Sequence, residues 1–134
     1  MAQTTLDRLV DACTAGEIEQ IGSQHGNEWA RVRRDAWARV CLFLRDDPTT
    51  DMKMASDLTA VDRFGREPRF DVVLHLYSVT KKHRVRLYAG VAEDDCNIES
   101  VVSIWPGMDW FEREAYDLSG VRFRGHPDLR RSPP

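Results

Sequence analysis

Two neighbouring stretches of alternating side chains constrain this fold most. In Arg69–Val79, the residues Phe70, Val72, Leu74 and Leu76 fall on one side. Asp71, Val73, His75, Tyr77 and Val79 fall on the other. In Arg84–Val91, Val85, Leu87, Ala89 and Val91 alternate against Arg84, Arg86 and Tyr88. A period of two marks an extended strand with one buried face. The basic turn Lys81-Lys82-His83 between them predicts a hairpin. The half-polar side of the first strand has two readings: His75 and Tyr77 mark a second covered surface, or they meet a helix within the domain.

The rest of the chain supplies helices and shorter strands to cover such a hairpin. Thr4 or Thr5 caps a first helix with Leu6, Leu9, Val10 and Cys13 on its buried face, and Gly16 stops it. Glu17–Gly22 and Glu28–Arg33 read as strands, with Gly26-Asn27 as the turn between them. Asp35 caps a second helix whose stripe is Trp37, Val40, Cys41 and Leu44, ended by Arg45-Asp46-Asp47-Pro48. Thr49–Ala55 reads as a short turn of helix and Asp57–Phe64 as a strand. Asn97 caps a third helix with Ile98, Val101, Val102 and Trp105 inward, broken by Pro106 and Gly107. Asp109 opens a fourth, with Phe111, Ala115 and Leu118 on one face and Gly120 as its end. Val121–Pro134 reads as an extended tail, because Pro127 and the terminal prolines oppose regular structure. Trp29, Trp37 and Trp105 are read as core. The expected fold is α+β, a two-layer domain with a mixed β-sheet covered by helices and a C-terminal extended arm. One domain spans residues 1–134, with the body at 1–120 and the tail at 121–134.

Composition excludes several function classes. The chain has 134 residues, 31% of them charged, and a net charge of -3, so no broad nucleic-acid footprint is expected. No apolar run reaches the length of a membrane span, and MAQTTLDRLV has no apolar signal region; an intracellular protein, taken to any membrane by a partner, is expected. Cys13, Cys41 and Cys96 are odd in number and far apart, which suits reduced thiols and gives no iron–sulfur spacing. The eight glycines never give the spacing of a dinucleotide or phosphate loop.

The stretch Trp110–Arg131 carries the candidate site. It holds Glu112, Arg113, Glu114, Asp117, Arg122, Arg124, Asp128, Arg130 and Arg131, with Trp110, Phe111, Tyr116 and Phe123 among them. Both signs of charge interleaved with aromatic anchors suit a surface that fits a partner. Glu112, Glu114 and Asp117 read as an acid–base set, as intrachain pairs such as Arg113 with Asp117, or as pairs across an interface. Pairing is favoured over catalysis. His126 is read as fixing a turn beside Pro127 and Asp128 in preference to carrying a proton or a metal, since no second ligand has suitable spacing. Arg130 and Arg131 either grip an anionic group or form a solvated end. Trp110 lies off the Phe111 face and is read as a partner anchor.

Those residues also carry a resemblance. ERE at 112–114, Asp117, Gly120 and GHPDLRR at 125–131 resemble the signature of the 30 kDa, or C-type, subunit of the respiratory NADH:quinone oxidoreductases known as complex I. LRDDP at 44–48, DLTAVD at 57–62, RFDVVLHLYSV at 69–79 and WPGMDWFERE at 105–114 follow the family's order. Ser119 and Ser132 depart from its usual aromatic or aliphatic residues, and many members continue beyond the position of Pro134.

The resemblance implies a cofactor-free, non-catalytic structural subunit of the peripheral arm, peripheral to the cytoplasmic side of the membrane. Its partners would be the hydrogenase-like D-type large subunit and neighbouring iron–sulfur subunits, which carry FMN and the clusters. The partner-binding residues implied are Trp110, Glu112, Arg113, Glu114, Asp117, Arg122, Arg124, His126, Asp128, Arg130 and Arg131. Ser119 and the early stop point to an alternative, the equivalent subunit of a membrane-bound energy-converting hydrogenase with a NiFe partner. A stand-alone small enzyme using Glu112, Glu114 and His126 is the remaining reading.

Overall fold

A computed structural model describes residues 2–13, 16–24 and 27–127. The elements run α1 (Ala2–Ala12), β1 (Ile18–Gln24), β2 (Asn27–Val32), α2 (Trp37–Asp46), β3 (Met54–Asp62), β4 (Phe70–Ser78), β5 (His83–Val91), β6 (Asn97–Glu99), α3 (Asp109–Ser119) and β7 (Arg122–Arg124). The fold is α+β, as its alternating pattern predicts. The main sheet has the order β1-β2-β5-β4-β3. β2 runs parallel to β5, and the other neighbours are antiparallel. The hairpin β4–β5 pairs Leu74 with Leu87 and Leu76 with Val85, so both apolar sets face one side.

The helices gather on that side. Leu6 and Leu9 of α1 and Trp37, Val40, Cys41 and Leu44 of α2 share a core with Val72, Leu74, Leu76 and Leu87. Each such side chain taken fully out of water contributes about 1.5–3 kcal/mol. Among the described residues no helix covers the opposite side. There Trp29 is half-buried instead of core, His75 and Tyr77 are also half-buried, and Arg84 is exposed. The first-helix stripe also shifts: Val10 is 54% exposed.

The largest departure from expectation is residues 97–105. No helix forms. Asn97–Glu99 is a strand, and it pairs in parallel with Arg122–Arg124. The segment after Gly120 therefore enters the fold through β7, and Val121 and Phe123 are buried. β-branched Ile98, Val101 and Val102 favour extension. Ser100 reinforces it locally, because its hydroxyl accepts the Val102 N–H at 3.1 Å. Arg45 Nη1 donates to the Ile104 carbonyl at 3.0 Å and Trp105 Nε1 to the Met52 carbonyl at 3.1 Å, fixing the turns that follow. Thr49–Ala55 holds one turn at its start, closed by the Asp51 N–H donating to the Asp47 carbonyl at 2.8 Å, and no helix follows it. Thr50 closes α2 by donating to the Leu44 carbonyl at 2.8 Å, and β3 begins at Met54.

One buried polar chain ties α1 to the sheet. Thr5 Oγ1 lies 2.7 Å from His83 Nδ1, and His83 Nε2 lies 2.8 Å from Glu28 Oε1. All three residues are buried. Burial pushes the Glu28 carboxyl up to about 7 and the His83 imidazole down. A raised acid favours the fold below its ordinary value of 4.5, and that contribution is lost as pH rises towards about 7. The lowered histidine acts in the opposite direction, since its contribution is lost as pH falls. Urea unfolding of the wild-type chain and Glu28→Gln at pH 5 and pH 8 separates the two. The wild type should lose about 2–3 kcal/mol relative to the variant between those values. Parallel pH profiles would show that Glu28 does not titrate in this range.

Candidate interaction site

The helix α3 is built around an inward carboxylate. Pro106–Met108 form a 3-10 turn that leads into it, so Asp109 is its first residue and not its cap. Gly120 ends it at φ 84°, the left-handed geometry that glycine adopts without strain. Ser119 completes that end: its hydroxyl donates to the Ala115 carbonyl at 2.6 Å and accepts the Val121 N–H at 3.2 Å. A serine is therefore structurally sufficient at this position.

Glu112 is fully buried. Its Oε1 accepts from the Ser100 hydroxyl at 2.7 Å, and its Oε2 accepts from the Val101 N–H at 2.8 Å. Burial pushes its carboxyl upward, while these two hydrogen bonds and nearby His126 pull the other way. Both oxygens have partners, as a polar group held away from water requires.

His126 belongs to the same scaffold. Its side chain is buried, and Nε2 lies 3.1 Å from the Asp109 carbonyl and 3.0 Å from Asp109 Oδ1. The His126 N–H donates to the Phe123 carbonyl at 3.1 Å. The chain after β7 thus folds back onto the start of α3. Of the sequence-derived site residues, Glu112 and His126 lie inside the fold.

The outer face of α3 carries four others. Trp110, Arg113, Glu114 and Asp117 lie on one side at helical spacing, and Leu118 joins them. Trp110 is 57% exposed and Leu118 is 80% exposed. The spacing of Phe111, Ala115 and Leu118 predicts an apolar stripe with Leu118 on the buried side, and the structure corrects this. The buried stripe instead runs through Glu112 and Ala115, flanked by half-buried Phe111, Tyr116 and Ser119. Arg113 and Asp117 form no salt bridge with each other, and Glu114 and Asp117 are exposed. Trp110 packs edge-on to Phe111, with ring centroids 5.3 Å apart, which holds the indole outward.

Arg122 and Arg124 are exposed on β7. The Arg122 guanidinium stands over Tyr116 at 5.8 Å. Asp128, Arg130 and Arg131 lie outside the described residues, as does Ser132. Among the described residues, no group of three or more His, Cys, Asp or Glu could hold a metal ion.

Replacing Glu112 with alanine strands the Ser100 hydroxyl and the Val101 N–H in the core. Urea unfolding should then show a loss of about 2–4 kcal/mol, with a smaller loss for Glu112→Gln, which keeps one carbonyl acceptor. Unchanged stability in Glu112→Ala would mean the carboxylate holds nothing.

This geometry sits within a recognisable lineage. A family model described as respiratory-chain NADH dehydrogenase, 30 Kd subunit, matches residues 30–132. The C-type subunit of the NADH-quinone oxidoreductase of Geobacter sulfurreducens is 43% identical over 118 residues, covering 87% of this chain and 72% of that protein. The second C-type subunit of the Rhizobium meliloti enzyme is 39% identical over 116 residues, covering 87% of this chain and 63% of that protein. Among solved structures, a trypsin-resistant fragment of Nqo5 superposes with a TM-score of 0.77 at 27% identity, covering 92% of this chain and 98% of the fragment. A chain of the archaeal membrane-bound sulfane sulfur reductase shares the fold, with a TM-score of 0.79 at 19% identity over 97% of this chain and 74% of that one. The chain belongs to the family of the respiratory-chain NADH dehydrogenase 30 Kd subunit.

Proposed function

We propose that this protein is a non-catalytic structural subunit of the peripheral arm of a proton-pumping NADH:quinone oxidoreductase. It docks on the hydrogenase-like D-type large subunit and on neighbouring iron–sulfur subunits. The observation that carries this reading is the family match over residues 30–132, which spans α3 and the segment that braces it. The outer face of α3 supports docking there. Trp110 and Leu118 are large apolar side chains in water, set between Arg113, Glu114 and Asp117. Aromatic anchors surrounded by charges are what interface centres use. FMN and iron–sulfur clusters belong to the partner subunits in this reading. No helix of the described residues is long and apolar enough to cross a membrane, which says nothing of β-barrels. The subunit would be held on the cytoplasmic side by its partners.

A second reading is the equivalent subunit of a membrane-bound hydrogenase or related complex. The shared fold with a chain of an archaeal respiratory membrane complex favours it. The 43% identity to the Geobacter sulfurreducens protein supports the first reading more directly.

Affinity purification of the tagged chain from its native membrane distinguishes them by the large subunit recovered. A D-type subunit with NADH-binding subunits is the expected companion. The double variant Trp110→Ala/Leu118→Asp should recover it at least about tenfold less well while keeping its circular dichroism. Undiminished recovery by the variant would refute docking at α3. Intrinsic NADH oxidation by the chain alone would refute the structural role.

A further inference from the structure

The helix-free side of the sheet holds a second surface. A groove of about 350 Å³ crosses it, with walls formed by Trp29, Arg31, Arg63, Arg66, Arg86 and Tyr88. Asp71 is also in the groove and is nearly fully buried; it accepts from Arg31 Nη2 at 2.5 Å and from Arg63 Nε at 3.2 Å. Four guanidinium groups against Asp71 and against Glu19, which pairs with Arg31 at 3.9 Å, leave an excess of two positive charges, in a chain whose net charge is -3.

That excess is concentrated on two side chains. Among the described residues, neither Arg66 nor Arg86 has a carboxylate partner. Arg86 lies over Tyr88 at 5.4 Å, and its Nε is buried with no hydrogen-bond acceptor. A buried donor without an acceptor is costly, and an incoming anion removes that cost.

The apolar wall is set in advance. Trp29 meets Tyr88 edge-on at 6.1 Å. Gly22, the register partner of Trp29, leaves room for the indole; a Cβ there would come within 2.5 Å of the ring. Phe64, between Arg63 and Arg66 in the β3–β4 connection, is 82% exposed.

The surrounding charges limit what fits. Glu19 stands 3.9 Å from Arg31 Nε, and Asp57 borders the same side through its contact with His75 at 2.7 Å. These carboxylates repel a long polyanion that overruns the groove, but they leave a short anionic stretch unopposed. The aromatic wall and exposed Phe64 favour an anion that carries apolar side chains, which phosphate does not.

We propose that this groove binds a short acidic segment of a neighbouring protein subunit, with its carboxylates on Arg66 and Arg86 and an apolar side chain against Trp29 and Tyr88. The site lies on the opposite side of the sheet from the helix layer that contains α3. It rests on the structural-subunit reading only in requiring that the chain have neighbours.

The full chain is titrated with a synthetic peptide of alternating Asp and Glu around one Phe, and followed by NMR of the Trp29 indole and arginine side-chain N–H signals. Saturable shifts at Trp29 and Arg86 are expected. Affinity should fall about tenfold in Arg66→Glu/Arg86→Glu and stay unchanged in Trp110→Ala/Leu118→Asp. If charge reversal disturbs folding, Arg66→Gln/Arg86→Gln gives the same comparison. No saturable binding, or binding indifferent to the arginines, overturns the proposal. So does tighter binding of inorganic phosphate, a single-stranded oligonucleotide or phosphatidylglycerol vesicles. In the assembled complex, a benzoylphenylalanine photo-crosslinker in place of Phe64 should join an Asp/Glu-rich segment of another subunit; a crosslink elsewhere, or none, overturns it as well.

Discussion

The C-terminal half of this protein hangs on one buried carboxylate. Glu112 brackets the Ser100 hydroxyl and the Val101 N–H, and so locks α3 to the turn that follows β6. The Ser100 N–H in turn donates to the Arg124 carbonyl at 2.8 Å, which extends the β6–β7 pairing. His126 closes the loop from β7 back to Asp109. Taking an acidic side chain out of water is unfavourable unless both oxygens find donors. Here both do, and the donors come from a segment otherwise short of regular structure.

That arrangement inverts the usual logic of a surface helix. A polar residue occupies the centre of the inner face of α3, while Trp110 and Leu118 face outward. The outward apolar groups are thus a consequence of how the helix is held. The sheet shows the complementary pattern. Its inner side is aliphatic apart from Phe70, Ser78 and the buried Glu28–His83 pair, and its outer side gathers arginines over aromatic rings: Arg84 over Tyr77 at 4.9 Å and Arg86 over Tyr88 at 5.4 Å. Two sides of different chemistry, both uncovered among the described residues, suit contact with more than one neighbour.

Much of the fold is legible in residue order. The hairpin β4–β5 can be read because alternation and turn signals agree over adjacent residues. The stripe of α2 and the Gly120 stop of α3 are legible for the same local reason. The β6–β7 pair is not. Each strand has three residues, and the partners lie 25 positions apart, as in Asn97 with Arg122. Ile98, Val101, Val102 and Trp105 mimic helical spacing, and only the distant partner settles their conformation. Leu118 is misread because a glutamate takes the buried position, and its donors at Ser100 and Val101 leave no trace in the spacing of α3. Trp29 looks like core because a large aromatic residue in a strand usually is; its place depends on which sheet side the helices cover. His126 shows the same limit: its side chain reaches Asp109, 17 positions back, and nothing in the residues beside it announces that partner.

The clamp at Glu112 can be tested without altering the chain. The Val101 amide is the reporter, since its hydrogen is held by Glu112 Oε2 in a segment that otherwise resembles a loop. In native-state hydrogen exchange this amide is predicted to open only with global unfolding, together with the amides of β4 and β5. Exchange of Val101 on the timescale of an exposed loop, while β4 and β5 stay protected, would contradict the clamp.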